Sequence, residues 1–128
     1  KWLGQRGQQI QSTLDSAGPD VVSVGDNGSR LSLVETPELI RASAGKGFRI
    51  LPGTDPFPFG DDYCRVGSFG FLADLKPEPA APWGTLKAWL TGPGRAPIAF
   101  GNTTGLVRFV FNQVGIQVYN RFFRNSQR

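Results

Sequence analysis

The chain has 128 residues, 39% apolar content and a formal net charge of +4, values that suit one globular domain with a core of its own. Histidine is absent, and the single cysteine, Cys64, cannot form a disulfide within the chain. These counts exclude a Ser-His-Asp or Cys-His catalyst and a multi-cysteine metal site built from this chain alone.

The basic residues are spread along the chain, and only Arg121, Arg124 and Arg128 gather near its end. Nucleic-acid binders usually carry a basic cluster or stripe on one face, and the helix dipole also favours arginine in a last helical turn, so we expect no nucleic-acid partner. No run approaches the ~20 apolar residues that cross a bilayer, and the first residues lack the apolar core of a signal peptide. We therefore expect a cytoplasmic protein with no membrane partner.

The first part of the chain is predicted to form a helix, a strand and a polar loop. The helix covers residues 1–17, because leucine and isoleucine recur there at helical spacing, and a Gly-Pro pair closes it. The β-branched run over residues 20–25 is typical of a buried parallel strand. It leads into a tight polar loop over residues 26–29.

A second helix and a second strand follow this loop. Thr36 as N-cap, Pro37 at the first helical position and Glu38 near the positive end of the dipole predict a helix start. Two glycines end this helix, and residues 48–51 form the next apolar strand. The order strand, helix, strand within residues 20–52 matches a βαβ unit, which implies parallel strands.

Prolines and glycines interrupt residues 56–82 repeatedly, and long loops of this kind often serve as lids or binding loops. Residues 65–71 could pair as a short strand inside this loop, and residues 83–90 are predicted to form a helix. The last element carries an apolar stripe at mostly three- and four-residue spacing, which a helix fits best, although a hairpin stays open. The stripe comprises Val107, Val110, Phe111, Val114, Val118 and Phe122.

One carboxylate, Asp55, comes where the second strand ends. Pro52 and Gly53 break the strand, and Pro56 biases Asp55 toward extended geometry. In parallel α/β folds, ligands bind in the crevice at the carboxyl ends of the strands. Asp55 is therefore the leading candidate for a functional side chain, although an Asp-Pro pair is also common in turns, where the carboxylate bonds a nearby backbone amide.

The run Ile50-Leu51-Pro52-Gly53-Thr54-Asp55-Pro56-Phe57-Pro58-Phe59 resembles the final-strand motif of the amidohydrolase-like metal-dependent hydrolases, which are (β/α)-barrel enzymes. In that family an apolar strand runs into Gly-Ser/Thr-Asp, and a proline and aromatic residues follow closely. The predicted fold class is α/β, with parallel βαβ units, a long Pro/Gly-rich loop and a C-terminal helix. The resemblance implies that this chain is the C-terminal half of a (β/α)8 barrel. On this interpretation, βα units occupy residues 1–60, the long loop 61–82 and C-terminal helices 83–128.

By the same resemblance, Asp55 ligates a divalent metal, with zinc expected, or takes a proton from the metal-bound water of a hydrolase acting on a small-molecule substrate. The family takes histidine ligands from earlier strands, and a barrel needs ~250 residues. We therefore expect the histidines to lie in a missing N-terminal half of the barrel, and we expect the isolated chain to be inactive. The absence of methionine also suggests a fragment or a processed product.

Other polar residues have two interpretations each. Asp26 and Asn27 could hold a polar group of the substrate at the end of the first strand, or they could simply form a turn. Arg65 could orient a substrate carboxylate through bidentate hydrogen bonds, or it could pair with Asp61 or Asp62, which is the default expectation. Those two carboxylates could in turn bind a hard cation or form a solvated loop tip.

The remaining side chains near the motif are expected to be structural. Cys64 is interpreted as a small packed residue, since no histidine can activate it. Four phenylalanines could line an apolar pocket beside Asp55 or pack as the core of the long loop: Phe57, Phe59, Phe69 and Phe71. The alternative to a hydrolase is a small non-catalytic α/β domain, in which the same loops bind a partner or nothing at all.

Overall fold

The computed structural model describes residues 4–91 and 96–122, which form a mixed α/β structure with four α-helices and small sheets. The elements are α1 (Gly4–Ala17), β1 (Val24–Asn27), α2 (Glu38–Gly45), β2 (Ile50–Gly53), a 3-10 helix (Asp62–Arg65), β3 (Phe69–Leu72), α3 (Pro82–Thr91), β4 (Ile98–Gly101) and α4 (Leu106–Phe122). β1 pairs with β2, and β3 pairs with β4. None of the helices in this part of the chain is both long and apolar enough to span a membrane.

Contacts divide the chain into two units that alternate along the sequence. The first contains the described residues of 1–26, 36–52 and 71–99, and the second those of 27–35, 53–70 and 100–128. The candidate carboxylate, Asp55, belongs to the second unit.

β1 and β2 run parallel. The Val24 amide donates to the Arg49 carbonyl at 2.8 Å, and the Gly28 amide donates to the Gly53 carbonyl at 2.7 Å. Donor and acceptor positions both advance by four residues between these two bonds, as parallel pairing requires. With α2 between the strands, the predicted order and parallel pairing of the βαβ segment are confirmed.

The first unit has an apolar core to which α1, α2 and the residues of and next to the two paired strands contribute. The buried members are Leu14, Val24, Ile40 and Phe48, and Ile10, Val22, Leu39 and Ile50 pack against them. The Lys46 ammonium lies 2.7 Å from the Asp15 carboxylate and joins the end of α2 to α1 across the surface. The helix predicted over residues 1–17 is confirmed from Gly4 onward, and its first three positions lie outside the described residues.

Several predicted element boundaries differ from the observed ones. β1 starts at Val24 instead of residue 20, because the amides of Val21 and Val22 both donate to the Gly18 carbonyl and prolong the turn. Pro37 is the N-cap of α2, and its carbonyl accepts from the Ile40 amide, so Thr36 lies outside the helix. β2 continues through Pro52 to Gly53 instead of breaking there.

The long loop and the C-terminal segment contain more strand than expected. β3 covers the last part of the segment that could pair as a strand, and its partner β4 was not predicted. α3 agrees with the predicted helix to within one residue at each end. In the first unit, the Trp89 ring stacks on Phe71 with centroids 6.0 Å apart, and the Arg49 guanidinium lies 5.0 Å from the same ring.

The last element is a helix, as the stripe favoured, but the stripe faces solvent. Val107 is 85% exposed, and the other stripe residues are exposed as well. The buried residue of α4 is the polar Asn112, which is 1% exposed. The periodicity therefore predicted the helix correctly, and it did not indicate which side of the helix is covered.

Candidate functional site

Asp55 lies two residues beyond the end of β2, at the carboxyl edge of the parallel pair, and its side chain is exposed. Its φ of 45° is in the left-handed region, and within residues 4–91 and 96–122 it is the only non-glycine residue with a positive φ. The expectation that Pro56 would keep Asp55 extended is therefore wrong. Aspartate tolerates this region better than most residues, but such a conformation persists only where the surroundings hold it.

The side chains of Asn27, at the end of β1, and of Ser29, two residues later, hold Asp55 in this conformation. The Asn27 Nδ2 amide donates to Asp55 Oδ2, and the Ser29 hydroxyl donates to the Asp55 main-chain carbonyl at 2.8 Å. The Ser29 amide donates to Asn27 Oδ1 at 2.6 Å and orients the asparagine. We call Asn27, Ser29 and Asp55 the Asp55 clamp.

Gly28 provides the space that the Asp55 clamp needs to form. A Cβ at this position would lie 2.9 Å from a ring carbon of Phe69 and 3.0 Å from the carbonyl oxygens of both Gly53 and Thr54. The backbone after β1 therefore lies directly against the backbone after β2, an approach that only glycine permits without a shift. This contact brings the Asn27 and Ser29 side chains within reach of Asp55.

Asp26 and Asn27 occupy the last two positions of β1 and not a loop. Asp26 is buried and Asn27 is exposed, so the alternation along the strand puts the two side chains on opposite faces. The hydrogen bond to Asp55 comes from Asn27. The substrate contacts predicted for the two residues stay predictions.

Arg65 braces the second unit. Its Nη1 donates to the Thr104 hydroxyl at 2.7 Å and lies 3.5 Å from Asp62 Oδ1, so the default pairing with a neighbouring carboxylate is confirmed. The Thr104 hydroxyl donates in turn to the Gly28 carbonyl at 2.9 Å, and Thr104 also forms a parallel bridge with Leu31. Thr104 was not predicted as a site residue, because an Asn-Thr-Thr run carries no signal of contacts this distant. The substrate role of Arg65 stays a prediction.

Asp61 and Asp62, the adjacent carboxylates of the long loop, differ in their exposure to solvent. Asp61 is exposed, as a loop tip would be, and hydrogen bonds from the Arg108 guanidinium hold the pKa of its carboxyl below the usual range. Asp62 is 0% exposed, so the expectation of a solvated position is wrong for it. Its Oδ2 accepts from the Phe57 amide at 2.7 Å. No local pattern indicated Arg108 as the partner of Asp61.

Thr54, the middle residue of the Gly-Thr-Asp triplet, is buried and anchors the loop. Its hydroxyl donates to the Phe69 carbonyl at 2.9 Å and accepts from the Gly67 amide at 3.1 Å. The phenylalanines predicted near Asp55 have separate environments: Phe57 and Phe59 stack with centroids 6.0 Å apart, Phe69 is buried, and Phe71 stacks on Trp89. Cys64 is exposed, which corrects the expectation of a packed thiol.

The candidate site is therefore the exposed Asp55 carboxylate near the end of β2, held by hydrogen bonds from residues at and just after the end of β1. No family model, curated protein or solved structure matches this chain. The chemistry of the site must be inferred from the Asp55 clamp itself.

The described residues do not make a metal centre on their own. Among them, no three His, Cys, Asp or Glu side chains come together in a group that could hold a metal ion. Asp55 offers one suitable carboxylate, whereas catalytic zinc sites usually take three protein ligands.

Proposed function

We propose that Asp55 is the catalytic carboxylate of a metal-dependent hydrolase of amidohydrolase-like type, and that this chain supplies the C-terminal half of its (β/α)8 barrel. The observation that carries the proposal is the exposed Asp55 carboxylate at the carboxyl end of β2, held in a left-handed conformation by the Asp55 clamp. Strained residues of this kind cluster at functional sites. Strand ends are also where parallel α/β folds bind their ligands.

The chemistry assigned to Asp55 is proton transfer. A carboxylate within hydrogen-bond reach of an attacking water accepts its proton and later delivers it to the leaving group. A divalent metal, zinc by expectation, would lower the pKa of that water when held by Asp55 and by histidines of the N-terminal half. The substrate is a small molecule, and the substrate contacts expected of Asp26, Asn27 and Arg65 stay predictions.

The exposed apolar side chains of α4 also support the proposal that further polypeptide packs against this chain. Soluble proteins rarely leave contiguous apolar patches uncovered, and further polypeptide of a barrel would cover them. The exposed apolar side chains of this helix are Leu106, Val107, Val110, Phe111, Val114, Val118, Tyr119 and Phe122. The same patch favours the second candidate function, a small non-catalytic α/β domain that binds another protein through α4.

The test uses the polypeptide encoded by the whole reading frame that contains this sequence. We expect it to purify with a bound divalent metal and to hydrolyse at least one member of a panel of esters, lactones and amides. Asp55→Asn should lower kcat/KM by about 10²- to 10⁴-fold, the range for loss of a general base. Asp74→Asn, which changes an exposed acid outside the clamp, should have no effect.

Two results would contradict the proposal. A metal-free protein without hydrolytic activity would favour the binding domain. An Asp55→Asn variant as active as the wild type would show that any hydrolysis uses another group.

A further inference from the structure

We propose that Asn27 is a positioning residue, which holds the Asp55 carboxylate by one oxygen and leaves Oδ1 for the chemistry. This inference rests on the proposed function and adds the residue through which Asp55 is oriented. Asn27 is the last residue of β1, and its hydrogen bond to Asp55 spans 28 residues of sequence.

The Asn27 amide has one favoured orientation. Its oxygen accepts from the Ser29 amide at 2.6 Å, so its Nδ2 is the end that faces Asp55, where it donates to Oδ2. The opposite orientation would place an oxygen against the carboxylate and an NH₂ against an amide donor, and both hydrogen bonds would be lost. The Ser29 amide therefore orients the Asn27 side chain, and in that orientation Asn27 donates to Asp55.

The Asp55 backbone is held from the same loop. The Ser29 hydroxyl donates to the Asp55 carbonyl at 2.8 Å and secures the residue at its φ of 45°. With the main chain and Oδ2 both engaged, rotation of the carboxylate would break a hydrogen bond. Among the described residues none donates to Oδ1, so this oxygen is the one that remains available to a metal or to a water proton.

This arrangement changes the role expected for Asn27. A residue that contacts substrate chiefly affects KM, whereas a residue that acts through the catalytic carboxylate affects kcat. Loss of a partner that orients a metal ligand typically lowers activity or metal affinity 10- to 100-fold. We therefore expect Asn27→Ala to lower kcat by about 10- to 100-fold at nearly constant KM.

The contact itself can be tested on the polypeptide encoded by the whole reading frame, without any activity measurement. In ¹⁵N–¹H spectra, the side-chain amide resonances of Asn27 should shift in the Asp55→Asn variant, which keeps the shape of the side chain and removes its charge. Asn102, an exposed asparagine outside the clamp, should keep its side-chain resonances and serves as the internal control. Unchanged Asn27 resonances would overturn the inference.

Kinetics on the whole hydrolase separate this inference from the proposed function. Loss of activity in Asp55→Asn together with full activity in Asn27→Ala would overturn the positioning role and leave the hydrolase standing. A raised KM at unchanged kcat in Asn27→Ala would overturn it too, since Asn27 would then contact substrate. Asn102→Ala is the matched control and should behave as the wild type.

Discussion

The Arg108 guanidinium binds both carboxylate oxygens of Asp61: its Nη1 donates to Oδ1, and its Nη2 donates to Oδ2 at 3.2 Å. This pair ties the tip of the long loop to the first turns of α4. It also makes the stability of the fold depend on pH.

The first prediction concerns acid unfolding. The bond from Arg108 lowers the pKa of Asp61 below its ordinary value of 3.8, so the pair stabilises the folded state above that pH and this contribution disappears as the pH falls through the lowered folded pKa. Asp61→Asn should therefore reduce the loss of melting temperature on acidification below pH 3.8. Asp61 is exposed, so added salt should weaken the effect. Asp74→Asn is the control, and equal acid sensitivity of wild type and Asp61→Asn would contradict the prediction.

The second prediction concerns the buried carboxylate of the loop. Asp62 is 0% exposed, accepts from the Phe57 amide and lies 3.5 Å from the Arg65 guanidinium. Asp62→Ala would leave a buried amide and a mostly buried cation without this acceptor, so we expect a loss of about 3 kcal/mol in the free energy of unfolding. Urea unfolding measures it, with Asp74→Ala expected to stay within about 0.5 kcal/mol of the wild type. A small change for Asp62→Ala would mean that water replaces its contacts.

A third prediction tests the close approach at Gly28. Its added Cβ would meet two carbonyl oxygens at 3.0 Å and the Phe69 ring at 2.9 Å, so Gly28→Ala should lower the free energy of unfolding by about 1–3 kcal/mol. Gly25→Ala is the matched control, because a Cβ there meets nothing within 4 Å. Thermal unfolding of both variants measures the difference. Equal melting temperatures would show that the two strand ends are farther apart than this geometry requires.

The fourth prediction concerns the polar residue buried in α4. Asn112 is 1% exposed, and neither side-chain amide atom has a hydrogen-bond partner among the described residues. Asn112→Leu should therefore raise the free energy of unfolding by about 1–2 kcal/mol, because a buried unpaired amide is destabilising. Gln117→Leu, at an exposed position of the same helix, should change it little. Destabilisation by Asn112→Leu would indicate that the amide has a partner outside the described residues.

Local sequence patterns were enough to predict much of the fold. The spacing of apolar residues predicted α1, α3 and α4, and β-branched runs and turn residues predicted the order of β1, α2 and β2, because these signals depend on residues close in sequence. The exact strand ends could not be predicted in the same way, because they depend on which backbone amides form hydrogen bonds with the neighbouring strand. β4 was missed because a four-residue strand surrounded by turn residues has no distinct pattern.

The sequence by itself determined that a carboxylate, Asp55, follows the second strand, and that no histidine of this chain can join it. Only the tertiary structure decided its left-handed backbone, its hydrogen bond from Asn27, and the exposure of Val107 while Asn112 is buried. The physical reason is that the contacts of Asp55 and the covering of α4 join residues distant in sequence. Strand register and the packing of distant surfaces decide whether these contacts form. A local sequence pattern carries no information on either.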